Sequence, residues 1–186
     1  MDPQVSTATP PITGEEFLEM PGADPCELVA GEIKRMSPAG WKHGTIEARL
    51  AQRLSDFVDE YDLGEVMVGE VGVYTGRDPD TVRGADVLFI SHERLEAASP
   101  EGFLDVAPEL VVEIMSPTNK WEAVRRKIGE YLAIGVECVW IVEPENRAVQ
   151  VYTAPDTVRT FSGADALKGE DLLDGFTLRL RDLFAV

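Results

Sequence analysis

The sequence predicts a mixed α/β fold, of the α+β type, in which helices flank a central mixed β-sheet. Residues 43–61 and the segment after Asn119 repeat apolar residues with the helical period. Short apolar segments typical of β-strands lie before, between and after these two helices. The chain has 186 residues and no internal repeat or linker. That length suffices for one sizeable core, so we expect a single domain over residues 13–186.

The predicted elements begin with a capping box, in which Thr13 and Glu16 open a short helix. The segment CELVAGEIKRMS then predicts two short strands joined by a turn. The helix over residues 43–61 follows, with one apolar stripe along its length, and we expect Gly64 to end it. The first third of the chain therefore predicts a helix, a hairpin and a long helix.

Three apolar segments follow, written VMVGEVGVYT, ADVLFI and ELVVEIM, and the polar loop TGRDPDTVRG separates the first two. Asn119 is a candidate cap for the second long helix, and Gly135 is expected to end it. The segments CVWIVE, AVQVYT and TVRTFS predict three additional strands, antiparallel in succession, and LLDGFTLRLRDLF predicts one more short strand.

Apolar content, the N-terminal sequence and the cysteines indicate in which cellular compartment the protein works. Apolar residues make up 44% of the chain, but no run of them is long enough to span a membrane. The first residues, MDPQVSTATPPITGEEF, lack the basic-then-apolar pattern of a secretory signal, and we expect residues 1–12 to be disordered. Cys26 and Cys138 form no CxxC pattern and fit small buried residues in a reducing compartment. We therefore expect a cytoplasmic protein with no membrane partner.

Net charge limits how the chain could hold nucleic acid. It carries 17 basic and 34 acidic residues, a formal charge of −17. Proteins that bind phosphate backbones usually have a basic surface. DNA binding would therefore need a local basic patch, and the densest cluster is Lys120, Arg125, Arg126 and Lys127. The strong acidity also leaves a basic protein open as a partner.

Two carboxylates lie in apolar strand patterns. Glu113 is in the middle of ELVVEIM, and Asp86 is at the start of ADVLFI. A buried, isolated carboxylate is costly, and a second one nearby adds repulsion, whereas a hard divalent cation between them removes both penalties. Mg²⁺ suits such a pair, and no His/Cys cluster points to zinc. The alternative is that each is an ordinary strand residue facing solvent or the backbone.

A lysine on the second long helix can complete this set. With about 100° per residue, Lys127 falls at the border of the apolar stripe of that helix. It could extend into solvent, as lysines at such borders often do, or it could reach the carboxylates at the end of the preceding strand. Two acids with a lysine are the groups that metal-assisted phosphodiester hydrolysis needs.

Several blocks resemble one known family over nearly the whole chain, from about Thr13 to Phe184. They are ELVAGEIKRMSP, GEVGVYTGRDPDTVRGADVLFI, PELVVEIMSPTN and KIGEYLAIGVECVWIVEP. Together they resemble the Uma-two family of restriction-endonuclease-like proteins, in the PD-(D/E)xK nuclease superfamily. The resemblance implies the restriction-endonuclease-like fold, a mixed central sheet with a helix on each side, and a Mg²⁺ site.

The same resemblance assigns roles residue by residue. Asp86 and Glu113 match the two acids of the motif, and the carbonyl of Ile114 matches a backbone ligand of the metal. Glu27 matches an upstream acid, and Lys127 matches a lysine placed on the helix. Two departures bear on activity: Ala85 replaces the proline before the first acid, and Met115 occupies the usual position of the lysine.

Two functions are therefore carried forward. The first is a cytoplasmic DNA endonuclease that depends on Mg²⁺, with Mn²⁺ as a possible substitute, and acts as a homodimer that cuts both strands. The second is a catalytically inactive binding or regulatory module with the same fold.

His43 fits a core or capping role as well as substrate contact. Trp41 with Lys42 fits either core packing or base stacking beside a phosphate.

Overall fold

A computed structural model describes residues 10–22, 25–169 and 171–185 of the chain. The strands are β1 (Cys26–Val29), β2 (Glu32–Arg35), β3 (Gly64–Gly76), β4 (Thr81–Ser91), β5 (Leu110–Ile114), β6 (Cys138–Glu143), β7 (Ala148–Ala154), β8 (Thr157–Ser162), β9 (Ala166–Gly169) and β10 (Leu173–Arg179). The helices are α1 (Gly14–Leu18), α2 (Trp41–Tyr61), α3 (His92–Ala97), α4 (Trp121–Ala133) and α5 (Leu180–Leu183).

Within the described residues, eight strands form a mixed central sheet. The hydrogen-bonded order is β2-β1-β4-β5-β6-β7-β8, and β3 pairs with β4. Strands β5 and β6 are parallel, and the neighbouring pairs in the sheet are antiparallel. Helix α4 makes the crossover between the two parallel strands, as such a connection requires. The predicted mixed sheet flanked by helices is confirmed.

Each face of the sheet has its own apolar core. One core contains the buried stripe of α2, which includes Leu50 and Leu54, together with apolar residues of α5, β9 and β10. The other contains Val124, Ile128 and Tyr131 of α4. Because side chains alternate along β5, its odd-numbered residues point toward α4 and its even-numbered residues toward α2. This alternation decides which face Glu113 occupies.

Two predicted helix boundaries differ from the structure. Helix α2 ends at Tyr61, its C-cap residue Asp62 adopts the left-handed conformation with φ of 51°, and Gly64 instead begins β3. Asn119 does not cap α4: the N-cap residue is Lys120, and the Asn119 side chain accepts a hydrogen bond from the Ser116 amide at 2.6 Å. A local hydrogen bond within the preceding turn therefore competes with capping.

The C-terminal region contains one strand more than predicted. Strand β9 pairs with β10 in a separate two-stranded sheet, and its four residues are too few to show a strand period in the sequence. The predicted capping box at Thr13 and Glu16 is present. No helix among the described residues is long and apolar enough to cross a membrane.

The expected disorder over residues 1–12 falls mostly outside the described residues, which begin at residue 10. The last part of that segment is in contact with the fold. The amide of Ile12 donates to the carbonyl of Gly31 at 3.0 Å, and a side chain at Gly31 would collide with Pro11. Residues 11 and 12 therefore pack on the turn between β1 and β2.

Candidate active site

The structure brings three of the four predicted catalytic residues into direct contact. The Lys127 Nζ lies 2.7 Å from Glu113 Oε2 and 2.9 Å from Glu27 Oε1. These residues belong to α4, β5 and β1, which are far apart in sequence. Glu113 faces α4 because of the alternation along β5, and Lys127 lies one helical turn before Tyr131 on the buried side.

Lys127 is held as a buried cation. Its side chain is 15% exposed, and the ammonium also donates to the carbonyl of Gly84 at 3.1 Å. Burial alone would lower its pKa, but the carboxylates of Glu113 and Glu27 more than offset this and raise the pKa above the ordinary lysine value. The side chain therefore stays protonated at neutral pH and supplies a fixed positive charge at the site.

Glu113 has a hydrogen-bond donor at each carboxylate oxygen. Lys127 donates to one oxygen, and the Tyr131 hydroxyl donates to the other at 2.8 Å. Burial raises the pKa of Glu113, while Lys127 and Tyr131 act in the opposite direction. The sequence predicted Tyr131 only as part of the apolar stripe of α4. Helical period does not reveal that its hydroxyl makes a polar contact.

Asp86 lies next to these residues, but no lysine or arginine among the described residues forms an ion pair with it. The ladder between β4 and β5 ends at the pair Val87 and Val112, and beyond it the Ile114 amide donates to Asp86 Oδ2 at 2.5 Å. The residue is 6% exposed. Burial, with a further contribution from Glu113, raises the pKa of Asp86 to about 8. Without a bound cation, this carboxyl is largely protonated at neutral pH.

A network that the sequence did not reveal fixes Glu27 in place. Arg83 donates to Glu27 Oε2 at 2.8 Å and to both carboxylate oxygens of Glu130 at 2.6 and 2.9 Å. Although burial alone would raise it, Lys127 and Arg83 hold the pKa of Glu27 below its ordinary value. Glu27 is therefore ionised and rigid, a positioning group for Lys127.

His43 approaches Asp86 from the first turn of α2. Its Nε2 lies 3.2 Å from Asp86 Oδ2, yet neither ring nitrogen makes a hydrogen bond with the described residues. Burial lowers the pKa of His43, with Glu47 opposing the shift, so the ring is neutral at neutral pH. The ring is therefore mostly buried beside a candidate site residue, and substrate contact by His43 stays a prediction.

Glu70 is a further acid near the site that the sequence did not single out. It lies at a bulge of β3, between the paired residues Val68 and Val71, with φ of 61°. Its carboxylate approaches Gly84 so closely that a side chain there would lie 2.5 Å from Glu70 Oε2. Burial raises its pKa, and Lys127 opposes the shift. The only sequence signal was an acid next to a glycine inside a strand.

A cavity of about 340 Å³ opens beside these residues, and it is locally basic despite the charge of the chain. Lys34, Arg35 and Arg126 line it together with Glu113 and Lys127. The predicted basic patch contributes only in part, since Lys127 is buried among the acids, and Arg126 lies 3.8 Å from Glu122. The cations that line this cavity outnumber the acids, and their local field would attract a phosphate group.

The predicted metal ligands fit a hard divalent cation by chemistry. Asp86 and Glu113 offer oxygen donors just beyond the point where the ladder between β4 and β5 ends, and the raised pKa of Asp86 marks a carboxyl that a cation would stabilise in its ionised form. Among the described residues, however, no three His, Cys, Asp or Glu side chains are grouped as a metal site. The role of the Ile114 carbonyl as a metal ligand stays a prediction.

Comparison with solved structures supports the fold. The chain is similar to the crystal structure of a "putative nuclease belonging to DUF820" from Anabaena variabilis ATCC 29413, with a TM-score of 0.79 and 23% sequence identity. The match covers 94% of this chain and 98% of that chain. No curated protein matches the sequence. At this level of identity, the solved structure supports the fold and not the activity.

The sequence itself matches a family model over most of its length. That model, Uma2 (Uma-two), is described as "Putative restriction endonuclease" and matches residues 15–181. These limits include every predicted site residue, from Glu27 to Lys127. The resemblance found in the sequence blocks is thereby confirmed, and the chain belongs to the Uma2 family of restriction-endonuclease-like proteins.

Proposed function

We propose that this protein is an endonuclease that hydrolyses phosphodiester bonds in DNA with the help of a divalent cation. One observation carries the proposal: the Lys127 ammonium is held between Glu113 and Glu27, and the carboxyl of Asp86 lies beside them. Structural ion pairs are usually made at the surface, whereas this one is buried. It lies beside Asp86, which forms no ion pair with a lysine or arginine of the described residues.

Asp86 and Glu113, with the carbonyl of Ile114, would hold Mg²⁺ or Mn²⁺. A cation at that position would neutralise charge on the phosphate and lower the pKa of a bound water. Lys127 would donate a hydrogen bond to the attacking water or to a phosphate oxygen, since an ammonium has three protons and a fixed position here. Glu27 and Arg83 would keep that ammonium in place.

Lys127 would take the place of the lysine whose usual position Met115 occupies. Met115 and Glu113 lie on the same face of their strand segment, two residues apart, and both line the cavity that Lys127 also lines. A lysine at position 115 would therefore occupy the same space. With the lysine on α4 at position 127, the site would keep the same number of charges, but a helix would carry the lysine in place of the strand.

We further propose that the active form is a homodimer, because cleavage of both strands of a duplex needs two sites. Size-exclusion chromatography with light scattering measures this directly. A mass of one chain, at concentrations where a duplex is cut on both strands, would contradict the dimer.

A non-catalytic binding module is the second candidate. Both oxygens of Glu113 already accept hydrogen bonds from side chains, and the chain carries a charge of −17. Such a module would keep the buried ion pairs for stability and bind a basic protein through its acidic surface. It would bind no Mg²⁺ at Asp86.

Calorimetric titration of Mg²⁺ and Mn²⁺ separates the two candidates before any target is known. We expect saturable binding to the wild type that is lost in Asp86→Asn and Glu113→Gln. The control is Glu60→Gln, which alters an exposed acid of α2 and should bind as wild type does. Cleavage of mixed DNA substrates should need the cation and fail in the same two variants. Full cleavage by Asp86→Asn would contradict the proposed site.

A further inference from the structure

An exposed tryptophan lies at the start of the longest helix. Trp41 is the first residue of α2 and is 71% exposed, whereas Trp140 in the sheet is 1% exposed. The Lys42 Nζ lies 5.6 Å from the centre of the Trp41 ring. A large aromatic side chain left outside the core contributes little to folding, and its π-face is available to a ligand.

Trp41 forms one wall of a cavity of about 460 Å³. Two cationic residues, Lys42 and Arg147, also line the cavity, and Glu145 is the acidic residue that lines it. The first turn of α2 contains no acid, so its backbone amides meet no negative side chain of that turn. This cavity therefore combines an aromatic face with a locally positive edge on a strongly acidic protein.

The cavity adjoins the candidate active site on two sides. Met115 lines both this cavity and the one that contains Glu113 and Lys127. His43 lines it as well, and its Nε2 lies 3.2 Å from Asp86. The side chains of Met115 and His43 therefore separate the cavity lined by Trp41 from the carboxylates of the candidate active site.

We propose that this cavity binds an unpaired nucleotide of a single-stranded nucleic acid, with its base stacked on Trp41 and its backbone beside Lys42 and Arg147. Aromatic side chains next to cations bind single strands in this way, because every base has a π-face and every linkage has a phosphate. Inside a duplex, both faces of each base are covered by neighbouring bases. The inference deepens the proposed function and rests on it: an unpaired nucleotide of the DNA substrate would lie beside the scissile phosphate, and a nucleotide of a duplex would first have to leave the base stack.

Binding without added metal tests the cavity independently of cleavage. The probe is a fluorescently labelled single-stranded oligonucleotide of mixed sequence, compared with a blunt duplex formed by the same oligonucleotide and its separate complementary strand, in buffer containing EDTA. We expect wild type to prefer the single strand, with quenching of tryptophan emission. Trp41→Ala should weaken that binding about fivefold or more, and Trp41→Phe should retain most of it.

The matched control is Tyr61→Ala, which removes an exposed aromatic side chain, 57% exposed, from the other end of α2. It should bind the single strand as wild type does. Equal affinity of wild type and Trp41→Ala for the single strand would overturn the proposal, and so would a preference for the blunt duplex that is unchanged in Trp41→Ala. Thermal melting checks that Trp41→Ala and Trp41→Phe are folded.

The two proposals fail in different ways. If Trp41→Ala binds normally while the wild type cleaves DNA in a metal-dependent manner, the nucleotide cavity is wrong and the nuclease function stands. If binding depends on Trp41 but no DNA is cleaved by the wild type, the cavity stands as a single-strand binding site and the nuclease function is wrong.

Discussion

Replacing Lys127 with methionine tests the buried ion pair on which the candidate site depends. The ammonium makes contacts at 2.7 Å to Glu113, 2.9 Å to Glu27 and 3.1 Å to the carbonyl of Gly84. Methionine keeps most of the side-chain length and apolar volume but no donor. Lys127→Met should therefore leave Glu113 buried without a cation, while Glu27 keeps its contact with Arg83 at 2.8 Å.

The expected loss follows from this partial compensation. Removing one partner of a buried pair costs about 3–5 kcal/mol. Since Arg83 still neutralises Glu27, we expect the lower end, about 3 kcal/mol at pH 8. For a chain of this size, 1 kcal/mol corresponds to roughly 2–4 °C, so the melting temperature should fall by roughly 6–12 °C. The measurement is thermal or urea unfolding followed by circular dichroism.

The pH dependence separates an electrostatic loss from a packing loss. Burial already raises the pKa of Glu113, and without Lys127 the pKa rises further, so Glu113 takes up a proton as the pH falls. The deficit of Lys127→Met relative to wild type should therefore be larger at pH 8 than at pH 5. The control is Lys120→Met, at the N-cap of the same helix, which should lose less than about 0.5 kcal/mol. An equal deficit at both pH values would refute the electrostatic reasoning.

Four further outcomes are expected. Because the pKa of Asp86 is raised from 3.8 to about 8, the folded state binds its proton more tightly than the unfolded state, and the stability of the metal-free protein should fall as pH rises between these values. Asp86→Asn should therefore be more stable than wild type at pH 7, by on the order of 2–4 kcal/mol, and equal to it near pH 3.5, as checked by urea unfolding in EDTA. Gly129→Ala, at an open position of α4, should stabilise by about 0.5–1 kcal/mol. Gly64→Ala, whose added carbon would collide with a backbone carbonyl of β4, should destabilise by about 2–4 kcal/mol in the same assay. The double variant Met115→Lys with Lys127→Met should recover part of the stability lost by Lys127→Met, and failure to recover any would mean that position 115 cannot reach Glu113.

Much of the fold was predictable because period and turn chemistry are local. The capping box at Thr13, the stripe of α2 and the paired strands that follow residue 137 each arise from neighbouring residues. The errors were also local. Asn119 satisfies an amide of its own turn in place of the helix, and the four residues of β9 are too short to show alternation.

The sequence by itself determined which residues of the candidate site are unusual for their element. A carboxylate within an apolar strand and a lysine at the border of an apolar stripe can both be recognised by period, and the structure places Glu113 and Lys127 in contact. Their roles in catalysis stay predictions. The period of a helix or strand shows on which face of that element a residue lies. This was enough to predict the contact of Glu113 with Lys127, because α4 directly follows β5.

Only the tertiary structure decided the contacts between distant segments. Arg83 meets Glu27 across 56 residues because β1 and β4 are neighbours in the sheet, and His43 meets Asp86 because α2 packs against β4. No local pattern encodes the order of strands or their register, which follow from the joint burial of two cores on one sheet. The physical reason is that a side chain's partner depends on that global packing, while its own conformation depends on its neighbours in sequence.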